Sequence, residues 1–125
     1  MVASFDLTHG DESDIICRNE KEIYMYGTIA HFRIKPGSKD EFIKTMDSFG
    51  DTIIPGWVAD YYFQMDKDPD EFYLVAIFRD KETYVANADS AQQHEQYLKF
   101  RSFLTADPEW NDGFIVSATG PGTEE

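Results

Sequence analysis

The order of hydrophobic patterns between Met25 and Ala118 constrains this chain more than any single motif. A strand run is followed by Pro36-Gly37 and a helical stretch. Two further strands flank an acidic turn, and a capped helical region and a last strand close the series. Strand–helix–strand–strand–helix–strand is the split βαβ arrangement of ferredoxin-like α+β domains with an antiparallel sheet.

The first strand is expected over about Tyr24 to Lys35. Tyr26, Thr28, Ala30, Phe32 and Ile34 share one face, and Met25, Gly27, Ile29, His31 and Arg33 share the other. Ser38-Lys39-Asp40-Glu41 reads as a capping box, with the Ser38 hydroxyl on the N3 amide and Glu41 reaching back. Phe42, Met46, Phe49 and Ile53 then recur at helical spacing and predict one buried stripe. Pro55-Gly56 closes that segment. Strands are expected over Trp57 to Met65 and Glu71 to Arg79, joined by the turn Asp66-Lys67-Asp68-Pro69-Asp70. A short helix from Asp80 to about Ala88 follows. Ser90, with Gln93 completing a second capping box, starts a longer helix to about Leu104, whose inner face carries Tyr97, Phe100 and Leu104. Trp110 to Ala118 forms the last strand.

The third strand is apolar on both faces: Phe72, Leu74, Ala76 and Phe78 on one, Tyr73, Val75 and Ile77 on the other. Burial on both sides is implied, yet the helices cover only one side. A homodimer joined through the sheet faces is the simplest cover. His31 and Arg33 on that face would then pair with acids of the other sheet, such as Asp60.

Composition narrows the function classes. The chain has 125 residues, 42% of them hydrophobic and 15% aromatic, enough for one globular core. Its formal net charge of −13 argues against non-specific binding to nucleic acid or anionic membranes. No apolar run is long enough to span a bilayer, and Met1 to Asp6 does not open a secretory signal. A cytoplasmic location is expected. The lone Cys17 cannot form an internal disulfide or a cysteine metal cluster. Residues 1–22 carry six acidic residues against Arg18 and Lys21 and read as a flexible acidic extension. The domain is expected over 23–119, and 120–125 as a disordered tail.

Several constellations are rejected on spacing. His94-Glu95-Gln96-Tyr97-Leu98 begins like a zinc-protease helix but has Leu98 where the second His must stand. Asp66, Asp68 and Asp70 alternate as in a calcium loop, but its sixth position is Glu71 and its twelfth Ile77. No metal site and no cofactor is expected. His94 falls one turn before Tyr97, on the helix face expected to meet the sheet. It can orient a phenolic ligand and take its proton, or serve as a half-buried histidine packed on aromatics.

Lys35-Pro36-Gly37-Ser38 with Asp40-Glu41-Phe42, Pro55-Gly56 before the second strand, Leu74 to Glu82, and Ser90 to His94 together resemble the antibiotic biosynthesis monooxygenase superfamily over about residues 24–118. The resemblance implies a dimer whose two sheets form an α+β barrel, with a pocket between helices and sheet in each subunit. It also implies cofactor-independent oxygenation of electron-rich aromatics. The haem-degrading branch uses an Asn, a Trp and a His at positions that hold Ala30, Asn87 and Tyr97 here; all three have changed, with His94 one turn from the expected His, which leaves haem degradation a distant third reading. The monooxygenase branch often has Trp at the position of Phe78 and a polar residue at that of Leu74. The implied pocket is therefore apolar on its strand side, where Ala30, Phe32, Leu74, Ala76 and Phe78 leave only Thr28 to donate. The expected ligand is a small, flat, apolar aromatic, contacted by Phe32, Leu74, Phe78, Asn87 and Tyr97, with His94 as the catalytic candidate. The other reading is a dimer that binds a hydrophobic small molecule without turning it over.

Overall fold

In the computed structural model, which describes residues 24–121, the expected elements appear in the expected order. β1 is Tyr26–Arg33 and α1 is Lys39–Ser48, extended by a 3-10 turn at Phe49–Asp51. β2 is Trp57–Gln64 and β3 is Glu71–Phe78. α2 is Lys81–Ala88, α3 is Ala91–Ser102 and β4 is Asp112–Phe114. The four strands form one antiparallel sheet in the order β2-β3-β1-β4, the ferredoxin-like arrangement. The acidic extension expected over residues 1–22, and residues 122–125 of the expected tail, lie outside the described residues.

Alternation sets the layers. Tyr26, Thr28, Ala30 and Phe32 of β1 are buried, as are Phe72, Leu74 and Phe78 of β3. These side chains meet Phe42 and Met46 of α1 and Phe100 of α3. Phe32 stacks on Phe72 at 5.7 Å between ring centres and meets Phe100 edge-on at 4.9 Å. Phe42 is fully buried against both strands' rings, and truncating such a residue to alanine typically costs about 3–5 kcal/mol. Gly27 lets β1 lie close to β3: a Cβ there would fall 1.8 Å from the Ala76 carbonyl oxygen.

Helix starts differ in how they are held. Asp80 caps α2, accepting from the Thr83 amide at 2.9 Å. Ser90 caps α3, accepting from the Gln93 amide at 3.0 Å. The other half of that box is not formed, because the Gln93 side-chain oxygen accepts from Asn87 instead, at 3.3 Å. The box expected at Ser38 is absent. The Ser38 hydroxyl donates to the Lys35 carbonyl at 2.6 Å, so a local turn takes the group that the helix end would have used. The buried stripe of α1 ends at Met46, with Phe49 packed partly against the core. Ile53 lies beyond the 3-10 turn and is 89% exposed.

The outer sheet face carries Ile29, Tyr61 and Phe63, each more than half exposed, beside the partly buried Tyr73, Val75 and Ile77. His31 and Arg33 also lie here, but their acids come from their own chain. His31 bonds Glu71 at 2.7 Å and contacts Glu109 at 3.4 Å, and Arg33 pairs with Asp68. Asp60 is not available to either, because it sits opposite Ala76 on the helix-facing side. The last strand is shorter than expected. Its approach pairs irregularly, with Glu109 bridged to His31.

Candidate functional site

Side-chain size along the sheet decides where the interior is filled and where it is open. Strand pairing puts Gln64, Phe72 and Phe32 in one transverse row, and the helices close tightly over its rings. Two rows further along, Asp60, Ala76, Thr28 and Asp112 stand in register across all four strands. Alanine and threonine in the middle leave space that Phe72 and Phe32 fill elsewhere. The next row, Trp57, Phe78, Tyr26 and Phe114, is bulky again.

The result is a cavity of about 480 Å³ between sheet and helices. That is within the usual range for small-molecule sites. Ala76, Thr28 and Leu74 form its floor. Phe78, Trp57, Tyr62, Phe100, Tyr97 and Trp110 supply aromatic walls. Asn87, Gln93, His94 and Gln96 approach from α2 and α3.

Both ends of the floor row are acidic. On β2, Asp60 accepts from the Trp57 indole nitrogen at 2.9 Å. The residue is open to solvent, yet enough protein surrounds the carboxyl to raise its pKa above the usual carboxylate value, against the lowering effect of the indole bond. On β4, Asp112 accepts from the Tyr84 hydroxyl at 2.9 Å. Burial pushes the Tyr84 phenol well up, and its bond to Asp112 adds to the shift. Tyr62 is also pushed well up, first by burial and then by the Asp60 and Asp47 charges. Both phenols are therefore neutral at physiological pH, and Tyr84 donates to Asp112.

Of the residues singled out from sequence, Leu74, Phe78, Asn87, Tyr97 and His94 line the cavity. Phe32 does not: it is closed into the core between Phe72 and Phe100. His94 is an exposed rim residue, and among the described residues its imidazole has no hydrogen-bond partner. The expected apolar strand side holds for β1 and β3 but not for the cavity as a whole, because β2 and β4 bring Asp60, Trp57 and Asp112 to it. Among the described residues, no group of three or more His, Cys, Asp or Glu is placed to hold a metal ion, and no helix is long and apolar enough to cross a membrane.

The family model for antibiotic biosynthesis monooxygenases matches residues 25–105. The chain belongs to this family. A putative antibiotic biosynthesis monooxygenase from Nitrosomonas europaea superposes with a TM-score of 0.66 at 17% identity, over 78% of this chain and 95% of that one. One from Chloroflexus aurantiacus J-10-fl gives 0.62 at 26% identity, over 77% and 97%. A Bacteroides thetaiotaomicron protein described as a possible oxidoreductase gives 0.62 at 12%, over 74% and 99%. No curated protein matches the chain.

The family match ends at Thr105, so Trp110 and Asp112, which close one end of the cavity, lie beyond the matched segment of this monooxygenase-family chain. Asp60 and Tyr84 lie within it. Two signals for them were present in the sequence: an acidic residue inside an aromatic strand, and a tyrosine one helical turn before Ala88. Neither is diagnostic without the pairing register.

Proposed function

We propose that this protein is a cofactor-independent monooxygenase acting on a small phenol- or quinol-like aromatic. The observation that carries the reading is the aromatic-walled cavity, in a fold of this family, with the His94 imidazole at its rim. In this reading the neutral imidazole takes the phenol proton. The phenolate passes one electron to dioxygen, and the radical pair joins at the ring carbon para to the oxygen. Loss of the ring proton and cleavage of the O–O bond release water. One oxygen atom stays on the ring, so phenol and dioxygen give quinone and water. Tyr97, Phe100 and Trp110 exclude water from the reacting ring, and Asn87 faces its polar edge.

The outer sheet face supports a homodimer. Ile29, Tyr61 and Phe63 form an exposed apolar surface backed by Val75 and Tyr73. Sedimentation of a folded monomer at micromolar concentration would rule that assembly out.

Oxygen uptake with 1-naphthol, whose carbon para to the hydroxyl carries a hydrogen, tests the activity. The expected result is stoichiometric uptake, one labelled atom per product from ¹⁸O₂, and a rate lowered about 100-fold in His94→Ala. One observation favours a second reading: the imidazole has no orienting partner among the described residues. A cavity that binds naphthol without consuming oxygen identifies a binding protein instead.

A further inference from the structure

Charge in the cavity is one-sided. Asp60 and Asp112 line it, while neither Lys nor Arg does. Each carboxylate accepts one side-chain hydrogen bond. Asp112 is engaged by the Tyr84 hydroxyl. Asp60 accepts one hydrogen bond, from Trp57. A carboxylate has about four acceptor positions, so most of the capacity of both remains open to a donor, and their surroundings distinguish them.

The surroundings of Asp60 select the kind of donor. The Trp57 indole is held against it, and Tyr62 lies close enough to feel its charge. A carboxylate among aromatic rings suits an organic cation, which pairs with the charge while its apolar body packs on the rings. The position along the floor matters too. Asp60 stands at one end of the row Asp60–Ala76–Thr28–Asp112. Strand spacing puts its ends about 14 Å apart at Cα. A ring lying over Ala76 and Thr28 therefore has Asp60 on one side and the Tyr84–Asp112 pair on the other.

We propose that the cavity takes an aromatic bearing a protonated amine, with Asp60 as the partner of the ammonium group and the ring over Ala76 and Thr28. This rests on the cavity being a ligand site but not on turnover. An ionised Asp60 has the Trp57 indole as its one side-chain donor, and the ammonium supplies a second, charged one. That is consistent with the upward pKa shift that burial imposes on this carboxyl. Carboxylate ligands are disfavoured, since they would meet Asp60 and Asp112 with no Lys or Arg in the lining to pair with.

The test is a charge series on one ring. Tyramine, 4-ethylphenol and 3-(4-hydroxyphenyl)propionate are titrated calorimetrically into the full chain, without oxygen and at low salt. Tyramine is expected to bind at least about tenfold tighter than 4-ethylphenol, as a charge-assisted hydrogen bond gives, with the propionate weakest. In Asp60→Asn the advantage of tyramine is expected to vanish, and in Asp112→Asn to persist. Should Asp60→Asn fail to fold, the wild-type series decides alone. Tyramine no tighter than 4-ethylphenol, no binding by any of the three at millimolar concentration, or an advantage lost in Asp112→Asn but kept in Asp60→Asn would overturn the proposal. Tyramine bound tightly with no oxygen consumed strikes only the monooxygenase reading. Neutral phenols oxidised with no preference for ammonium strike only this inference.

Discussion

Gly27→Ala is expected to be among the most damaging single-methyl additions in this fold. An ideal Cβ at position 27 lies 1.8 Å from the Ala76 carbonyl oxygen, 2.9 Å from its carbonyl carbon and 3.2 Å from the Ile77 Cα. All three are backbone atoms, so no side-chain rotation relieves the overlap. Carbon–oxygen contacts settle near 3.3 Å, so β1 and β3 must part locally by about 1.5 Å. Ladder bonds near 2.9 Å would then exceed 4 Å and cease to be hydrogen bonds. Two such bonds at about 1 kcal/mol each, plus about 1–3 kcal/mol for overpacking, give a loss of about 3–5 kcal/mol. That is a large share of the total stability of a typical domain. At about 4–8 °C per kcal/mol, Tm should fall by about 12 °C or more. Urea unfolding followed by circular dichroism measures it, with Gly113→Ala as the control, because a Cβ there meets nothing within 4 Å. A loss below about 1 kcal/mol at unchanged m-value would refute the reasoning.

Gly56→Ala combines a φ of +83° with a Cβ only 2.2 Å from the Thr83 hydroxyl oxygen; it should cost about 2–4 kcal/mol, read by thermal melting, and a change under 1 kcal/mol would contradict it. The Asp80 carboxyl is held below the ordinary aspartate value, first by the Thr83 amide and then by the Thr83 hydroxyl. Its stabilising effect is therefore present above pH 3.8 and lost as pH falls through the lowered folded value, so the Tm deficit of Asp80→Ala seen at pH 7 should shrink on acidification. Asp60 has the opposite sign: its raised folded pKa means that ionisation costs stability, a cost absent below 3.8 and complete once pH exceeds the raised value. Asp60→Asn should therefore match or exceed wild type in Tm at pH 7, and that advantage should close in acid.

The architecture was legible because its signals are periodic and redundant. Buried Tyr26, Thr28, Ala30 and Phe32 follow the alternation read from sequence. Pro36-Gly37 and Pro55-Gly56 mark real ends, and Ser90 caps the helix it was expected to cap. What failed depended on competition between local partners. Ser38 had a carbonyl at Lys35 within reach and used it in place of the helix amide. Ile53 continued a helical spacing, but the chain had already left the helix at Gly50–Asp51. Phe32 has the parity of a cavity residue, and its exclusion follows from the position of Phe100 on α3, which no spacing along β1 encodes.

The chemistry of the site turns on one irregular residue. In a regular strand, residues three apart point to opposite faces, so alternation from an inward Trp57 sends Asp60 outward. The pairing of β2 with β3 slips between Trp57 and Ala59: Trp57 stands opposite Phe78, Ala59 opposite Ile77 and Asp60 opposite Ala76. Val58 is the extra residue, a bulge that bends the strand and resets the parity. Because Val58 bulges out of the ladder, Trp57 and Asp60, three apart in sequence, share a face and form the 2.9 Å indole–carboxylate bond. The bulge thus removes an acid from the outer sheet face, where Ile29, Tyr61 and Phe63 are exposed, and adds it to the cavity. Deleting Val58 would remove the bulge but leave Trp57 opposite Phe78 and Asp60 opposite Ala76, now two positions apart in a regular strand, so both would stay on the cavity face. The indole–carboxylate bond and the preference for an ammonium group should therefore survive that deletion, whereas regular pairing of the strand with Val58 kept in the ladder would put the two side chains on opposite faces and remove both.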